Sequence, residues 1–378
     1  MQVRRLKLLK PLMVVLAITA VAALLAACGG SDSSTGSTSS NGGGSEEATG
    51  TLTEQQALEQ TLAWIEEEPK TDEDLRIAWL KADAKNPYTL AEQRGGLDAA
   101  KRYGADVKVF DASFNPTTQF QQFQDALTGY ESGDYDGIVV EPVAGEVLCP
   151  RVMQAIEKDV PIAVDNQPLC GDDGYTEGAV GYAGVQLQRY FDQHAEYAFK
   201  SCKGEPCEVA VITGPVGFDV TTKLQNALKM LEPKFPNVEV VANQASDFSA
   251  QEGLKITRDT LTAHPNVSVV ISQWDDQMTG VVQAVEQAGK KPGTDVRIYS
   301  NGADKTGVGL IEEGRLTESS LLMPYEEGNY AMEQMIRFLL TGKKTPGTVW
   351  LPMAPIVKNG PGDMFITKEN ASEWTPEY

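Results

Sequence analysis

The chain has 378 residues, which is more than a single hydrophobic core usually needs. It carries 32 basic and 53 acidic residues, a formal net charge of −21. A chain this acidic is poorly suited to the phosphate backbone of nucleic acids, so we expect no nucleic-acid partner.

The first 27 residues have the pattern of a secretory signal. Residues 1–10 hold four basic side chains and no acid, and the apolar run 12–27 that follows is broken only by Thr19. This run is too short for a permanent spanning helix. It ends in Leu25-Ala26-Ala27-Cys28-Gly29, which resembles a bacterial lipobox, where the cysteine is lipidated. We therefore expect a chain beginning at Cys28, with 28 basic and 53 acidic residues, outside the cytoplasm and anchored to the outer face of the cell membrane by lipid. The alternative is a soluble secreted protein with a chance cysteine.

Residues 28–50 are mostly Gly, Ser and Thr, a composition typical of a disordered, flexible tether. Residues 51–70 differ, because Leu52, Leu58, Leu62 and Ile65 recur at helical spacing. We expect a short amphipathic helix there.

From residue 75 onward, short apolar runs alternate with longer helical patterns. The predicted strands are 75–80, 106–110, 137–141, 161–165, 208–213, 238–242, 267–272 and 296–300. The predicted helices include 89–103, 117–132, 186–199, 218–231 and 250–263. This alternation predicts an α/β fold with parallel sheets covered on both faces, in two Rossmann-like lobes because the region exceeds one comfortable core.

Four cysteines remain besides Cys28. An exported chain meets an oxidising compartment, so we expect disulfides, with Cys202 paired to Cys207 and Cys149 paired to Cys170. A zinc site is the competing interpretation. We expect no metal, because the chain has only two histidines and neither is near a cysteine pair.

Several short motifs together resemble the sugar-binding periplasmic proteins of the ribose-binding type. In chain order they are Asn86-Pro87-Tyr88, Asn115-Pro116, Asp165-Asn166, Ser246-Asp247-Phe248, the run 261–267 and Asn301-Gly302. The resemblance implies a type 1 periplasmic binding protein, with three strands crossing between the lobes near Gly178, Leu322 and Thr348. Lobe 1 would then be residues 71–178 plus 323–348, and lobe 2 residues 179–322 plus 349–378.

The sheet geometry and the resemblance both predict where the ligand binds. Open parallel sheets bind ligands beyond the carboxyl ends of their strands. The predicted ligand-binding residues are Asn86, Tyr88, Asp165, Asn166, Thr222, Phe248, Trp274, Asp275 and Asn301. Asp275 has a second interpretation, as the cap of the helix that begins near Gln277.

These residue types suit a sugar or polyol, since amides and carboxylates bind hydroxyl groups and aromatic rings cover the sugar ring. Ribose itself is doubtful, because the family often has Asp-Arg where this chain has Asp165-Asn166 and an Arg where it has Thr222. Loss of arginines also argues against an acidic ligand. An amine held by the aromatic rings is the alternative ligand.

The resemblance implies that an ABC-type permease is the partner, and we expect the protein to be a monomer. A ligand sensor that feeds a chemoreceptor or kinase is a different function for the same fold. We expect no cofactor and no catalysis, because neither His194 nor His264 lies in a catalytic motif and no nucleophile elbow, Walker loop or dinucleotide fingerprint occurs.

Overall fold

The computed structural model describes residues 74–216, 218–344, 348–350 and 364–378, the side chains of 348–350 excepted. The predicted signal, the lipidation site at Cys28, the tether and the helix at 51–70 all lie outside the described residues. Within the described ranges, no helix combines the length and the apolar character needed to cross a bilayer.

In the described residues, twelve strands form two six-stranded sheets. The first sheet contains β1 (Arg76–Lys81), β2 (Asp106–Asp111), β3 (Gly137–Val140), β4 (Ile162–Asp165), β5 (Gly181–Gly184) and β11 (Thr348–Trp350), in the order β11-β5-β4-β3-β1-β2. The second contains β6 (Cys207–Thr213), β7 (Val238–Ala245), β8 (Val267–Ser272), β9 (Arg297–Gly302), β10 (Glu318–Leu321) and β12 (Phe365–Ile366), in the order β12-β10-β9-β8-β6-β7. All pairs are parallel except β10 with β12.

Nine α-helices connect these strands in the described part of the chain. They are α1 (Pro87–Tyr103), α2 (Pro116–Ser132), α3 (Gly145–Ile156), α4 (Gln188–Lys200), α5 (Asp219–Leu231), α6 (Ala250–Ala263), α7 (Met278–Gln287), α8 (Lys305–Glu312) and α9 (Pro324–Thr341). The predicted α/β fold with parallel-sheet lobes is confirmed. All eight predicted strands form, with ends shifted by a few residues, whereas the sequence patterns did not predict β5, β10, β11 or β12.

The chain changes sheet three times. It leaves the first sheet after β5, returns after β10 through α9, and leaves again between β11 and β12. Because β5 pairs with β4, the first crossing follows Gly184, a few residues beyond the position near Gly178 that the resemblance implied. The third crossing follows Trp350, since β11 pairs with β5 throughout.

Alternating side chains of the first sheet supply two apolar cores. Ile77 and Trp79 pack with the cluster that includes α9, while Ala78 and Leu80 face the opposite cluster with Ile138. Burial on both faces explains why these strands read as continuous apolar runs. The helices α1 and α9 pack so closely that a Cβ atom at Gly95 would overlap the carbonyl oxygen of Tyr325.

The two Asn-Pro motifs mark helix starts. Asn86 caps α1 by accepting a hydrogen bond from the Thr89 backbone N–H at 2.9 Å, and Asn115 caps α2 in the same way from Thr117 and Thr118. The proline that follows each Asn occupies the first helical position, where its missing N–H costs nothing. These caps fix the loops after β1 and β2 at the edge of the first sheet.

The cysteine sulfurs lie in two pairs at bonding distance. Cys149 is joined to Cys170 and Cys202 to Cys207, as predicted. The first pair connects α3 to the loop after β4, and the second connects the end of α4 to the start of β6.

Candidate functional site

A cavity of about 410 Å³ lies between the carboxyl ends of the two sheets. From the first-sheet side it is lined by Ala82, Asn86, Tyr88, Thr89, Phe114, Glu141, Pro142, Val143, Asn166, Gln167 and Gln186. From the second-sheet side it is lined by Pro215, Phe218, Asp219, Val220, Asp247, Phe248, Trp274 and Asp276. These residues follow the ends of β1 to β8 in turn, the location expected for ligands of parallel sheets.

Aromatic rings meet across the cavity. The ring of Tyr88, on the first-sheet side, lies 5.5 Å from that of Trp274 on the second, measured between ring centroids. Phe248 is also 5.5 Å from Trp274, and the exposed ring of Phe114 is 6.0 Å from Phe218. The cavity therefore offers flat apolar surfaces from both halves of the molecule.

Three lining residues have left-handed backbone conformations, and one of them is Phe114 with φ of 54°. Asn166 has φ of 58°, which asparagine tolerates, and Phe248 has φ of 66°, which is rare for a bulky side chain. The Phe248 conformation is supported by a hydrogen bond from its backbone N–H to the Ser246 hydroxyl at 3.2 Å. Strain of this kind often occurs at ligand sites, and here it accompanies a ring that lines the cavity.

Polar side chains at one end of the cavity form a connected network around the Tyr88 hydroxyl. This hydroxyl donates to the buried carboxylate of Glu327, and the Asn166 side-chain amide donates to Tyr88 at 2.7 Å and to Glu327 at 2.9 Å. The Gln186 amide donates to Tyr88 at 3.3 Å. Burial raises the pKa of Glu327 to about 7, against the hydrogen bonds from Tyr88 and Asn166, which lower it.

Next to the cavity lies a buried charge cluster formed by Lys81, Glu92, Glu141 and Asp165. Glu141 is the member of this cluster that lines the cavity. The Lys81 ammonium contacts Glu92, lies 2.7 Å from a carboxylate oxygen of Glu141, and is 4.9 Å from the ring centre of Trp79. Burial raises the pKa of Glu141 to about 8 and that of Asp165 to about 7. Burial alone would lower the pKa of Lys81, but the carboxylates of Glu141 and Glu92 hold it above its ordinary value.

The lining residues include no lysine and no arginine within the described ranges. Lys223 of α5 lies beside the cavity, where its ammonium is 2.9 Å from Asp219 and donates to the Gln167 side chain and the Gln186 carbonyl at 3.3 and 3.0 Å. Its charge is thus engaged by protein groups from both sides.

Five of the nine predicted ligand-binding residues line the cavity: Asn86, Tyr88, Asn166, Phe248 and Trp274. The other four do not, and their surroundings give the reasons. Asp165 is fully buried and accepts a hydrogen bond from the Trp79 indole at 3.1 Å. Thr222 is exposed on α5, where its hydroxyl bonds the Phe218 carbonyl at 3.3 Å. Asn301 is buried within β9.

Asp275 fits neither of its two interpretations. Its carboxylate is buried and accepts from the Ser319 hydroxyl at 2.8 Å and the Asp304 backbone N–H at 3.2 Å, so it connects β10 to the start of α8. His194 lies on α4. It is fully buried with Nδ1 2.8 Å from the Ser320 hydroxyl, and burial lowers its pKa to about 3.

Sequence reasoning missed several lining residues, most of them next to motifs that it did use. Asp247 precedes Phe248, Asp276 is two residues after Trp274, and Phe218 and Asp219 follow the Gly-rich turn after β6. Applying the strand-end rule to β6 would have found the last two. No local signal marks Glu327, which lies 161 residues from Asn166.

Comparison with known proteins supplies the family. The family model described as "Periplasmic binding protein domain" matches residues 77–344. The ribose import binding protein of Salmonella typhimurium is 23% identical over 286 residues, covering 75% of this chain and 90% of the relative. The D-allose-binding periplasmic protein of Escherichia coli is 25% identical over 272 residues, covering 69% and 83% respectively.

A solved structure has the same fold. An ABC transporter solute binding protein from Bacillus halodurans with bound myo-inositol superposes with a TM-score of 0.68 at 19% identity, covering 82% of this chain and 100% of that one. The family match extends over most of the chain, from β1 to the end of α9, and includes the first two crossings between the sheets. The chain therefore belongs to the periplasmic binding protein family, a family of binding proteins, as its sequence motifs predicted.

Proposed function

We propose that this protein is the extracytoplasmic solute-binding component of an ABC-type importer and that it captures a sugar or polyol between its two lobes. One observation carries the proposal: the cavity is lined from both sheets by aromatic rings together with amide and carboxylate groups. Amides and carboxylates can saturate hydroxyl groups, while Tyr88, Phe248 and Trp274 can cover the apolar face of a ring.

The absence of a lysine or arginine among the described lining residues favours an uncharged ligand over an acidic one. The relatives named above are proteins for ribose and D-allose, and the structural neighbour holds myo-inositol. The ligands of these relatives and of this structural neighbour support a sugar or polyol over the amine as the ligand.

Binding favours closure of the lobes because the two sides of the cavity belong to different sheets. A ligand held by Asn86 and Asn166 on one side and by Phe248 and Trp274 on the other has all of its contacts only when the halves are together. The three crossings are the segments about which the lobes would rotate. A permease can then recognise the closed form.

We further propose that residues 1–27 direct export, that Cys28 receives the lipid, and that the tether 28–50 holds a monomeric receptor at the outer face of the membrane. Cys28→Ser should move the protein from the membrane fraction to the soluble fraction of the exporting cell. Retention of that variant in the membrane fraction would contradict lipid anchoring at this residue.

A thermal-shift panel tests the proposed function. The protein would be residues 28–378 carrying Cys28→Ser, and the panel D-ribose, D-allose, L-arabinose, myo-inositol, galacturonate and spermidine. A ligand at about 100 times its Kd adds roughly 2.7 kcal/mol to stability, a shift of several degrees for a protein of this size. We expect a shift with at least one neutral sugar or polyol. A shift with spermidine or galacturonate alone would refute the proposal.

A further inference from the structure

Glu327 is a buried carboxylate that none of the sequence motifs identified. It lies in the first turn of α9, directly after the chain returns from the second sheet to the first, and its side chain is fully buried. It is not a lining residue of the cavity, but each of its two oxygens accepts hydrogen bonds from groups beside it.

Two of these donors line the cavity. The Tyr88 hydroxyl and the Asn166 amide both donate to the same oxygen of Glu327, the latter at 2.9 Å. The Tyr88 ring also lies 5.5 Å from the Trp274 ring and 5.4 Å from the Tyr378 ring. An ionised carboxylate has only acceptor sites, so it holds both donors in one orientation.

The third donor belongs to a crossing between the lobes. The backbone N–H of Val185, the residue after β5, donates to the other oxygen of Glu327 at 2.9 Å. Glu327 itself follows the second crossing by a few residues. One carboxylate thus contacts the first crossing and two side chains that line the cavity, and it lies on a helix that begins directly after the second crossing.

We propose that Glu327 is a positioning residue that orients Tyr88 and Asn166 toward the ligand and couples them to the hinge. The coupling to ligand rests on the proposed function, whereas the orientation of Tyr88 does not. A change in lobe angle that moves Val185 relative to α9 must alter the bond that it makes to Glu327. The lining residues on the other oxygen then respond through the same carboxylate.

A purely structural role is the alternative. An acidic residue in the first turn of a helix interacts favourably with the helix dipole, and its loss would lower stability. That role predicts no specific effect on Tyr88 or on ligand affinity. The test therefore needs measurements that a general loss of stability does not change.

The main variant is Glu327→Gln, with Glu333→Gln as its matched control. The introduced glutamine would direct its NH₂ group at either Val185 or the Tyr88 and Asn166 pair, so at least one donor loses its acceptor. Glu333 lies on the same helix and contacts Arg102 at 2.9 Å and Tyr103 at 3.2 Å, away from the cavity lining. Glu327→Asp keeps the charge but shortens the side chain, and it serves if the Gln variant does not fold.

The first measurement needs no ligand. The protein is labelled with 3-fluorotyrosine, and the ¹⁹F resonance of Tyr88 is identified by its loss in Tyr88→Phe. We expect this resonance to shift or broaden in Glu327→Gln and to stay unchanged in Glu333→Gln. An unchanged Tyr88 resonance in both Glu327 variants would overturn the proposed orientation.

The second measurement is the Kd for D-ribose, D-allose or myo-inositol, whichever the wild type binds, by calorimetry. We expect Glu327→Gln to raise Kd by about tenfold and the double variant with Tyr88→Phe to add little more, since the two groups act through one bond. An unchanged Kd in Glu327→Gln would overturn the coupling. If the wild type binds none of the neutral sugars or polyols of the thermal-shift panel, the proposed ligand class fails, and the resonance measurement still decides the role of Glu327.

Discussion

Replacing Lys81 by Met should destabilise the protein strongly and in a pH-dependent way. Lys81 is fully buried, and its ammonium contacts Glu92 and lies 2.7 Å from Glu141. Asp165 adds a third buried carboxyl to the buried charge cluster, and Coulomb attraction to it also raises the pKa of Lys81. Lys81→Met therefore removes the cation that compensates these three carboxyl groups while keeping a side chain of similar length.

The size of the effect follows from the protonation of the carboxyl groups. Removing one partner of a buried ion pair typically costs roughly 3–5 kcal/mol, because the remaining charge is left uncompensated. In the wild type, burial raises the pKa of Glu141 to about 8 and of Asp165 to about 7, so both are substantially ionised at pH 8.5 and protonated at pH 5. The Lys81 charge lowers both pKa values, so at pH 8.5 the variant must either bury these carboxylates uncompensated or take up protons, whereas at pH 5 it need do neither. We expect a loss of roughly 3–5 kcal/mol at pH 8.5 and of about 1–2 kcal/mol at pH 5, from hydrogen bonding alone.

Urea unfolding followed by circular dichroism at the two pH values measures this difference. The control is Lys85→Met, because Lys85 forms an ion pair with Asp111 at 2.9 Å but its side chain is 68% exposed. That variant should lose little stability, and about equally little at both pH values, because solvent screens the exposed pair. A loss for Lys81→Met that is equal at both pH values, or larger at pH 5, would refute the reasoning.

Three further predictions concern the cavity and the groups behind it. Trp274→Ala should raise the Kd for a panel sugar by roughly 30-fold, which corresponds to a loss of ~2 kcal/mol of binding free energy. An unchanged calorimetric Kd would show that the ring does not cover the ligand. Asp165→Ala should lower the free energy of unfolding by about 1–3 kcal/mol, because the buried Trp79 N–H loses its acceptor. An unchanged urea midpoint together with lost sugar binding would instead support Asp165 as a ligand contact. Wild-type stability should fall from pH 5 to pH 8.5: Glu141 and Glu327 have raised pKa values of about 8 and 7 in the folded protein, so the folded state holds more protons than the unfolded chain in this window. A urea midpoint that rises over this range would contradict it.

The sequence was sufficient for the fold and for five of the residues that line the cavity. Apolar runs such as Val267–Ser272 alternate with amphipathic helices, and this local pattern alone implies parallel sheets. The Asn86-Pro87 cap and the left-handed Phe248 lie at strand ends, so their place beside the cavity followed from the strand-end rule. The cysteine pairing could also be predicted from the sequence. Cys202 and Cys207 are close in sequence, and Cys149 and Cys170 bracket one helix–strand unit.

Some strands depended on the tertiary structure. The β5 segment Gly-Tyr-Ala-Gly and the β10 segment Glu-Ser-Ser-Leu lack a run of β-branched or large apolar residues. They become strands because neighbouring strands present unpaired backbone N–H and C=O groups at those positions. Burial in the fold adds stabilisation that their own β-propensity does not provide. Local composition cannot report such pairing.

The side to which each strand-end residue points was decided only by the fold. Asp165 and Asn166 are adjacent, yet Asp165 ends β4 against the Trp79 indole while Asn166, in a left-handed conformation, turns its amide to the cavity. Successive residues along an extended chain face opposite sides, so a shift of one position exchanges a buried acid for a side chain that lines the cavity. Glu327 reaches Tyr88 only because α9 returns from the second sheet and packs on α1, a contact between residues 239 positions apart. Sequence periodicity determines which segments form strands and helices, whereas distant packing determines which of their polar groups meet.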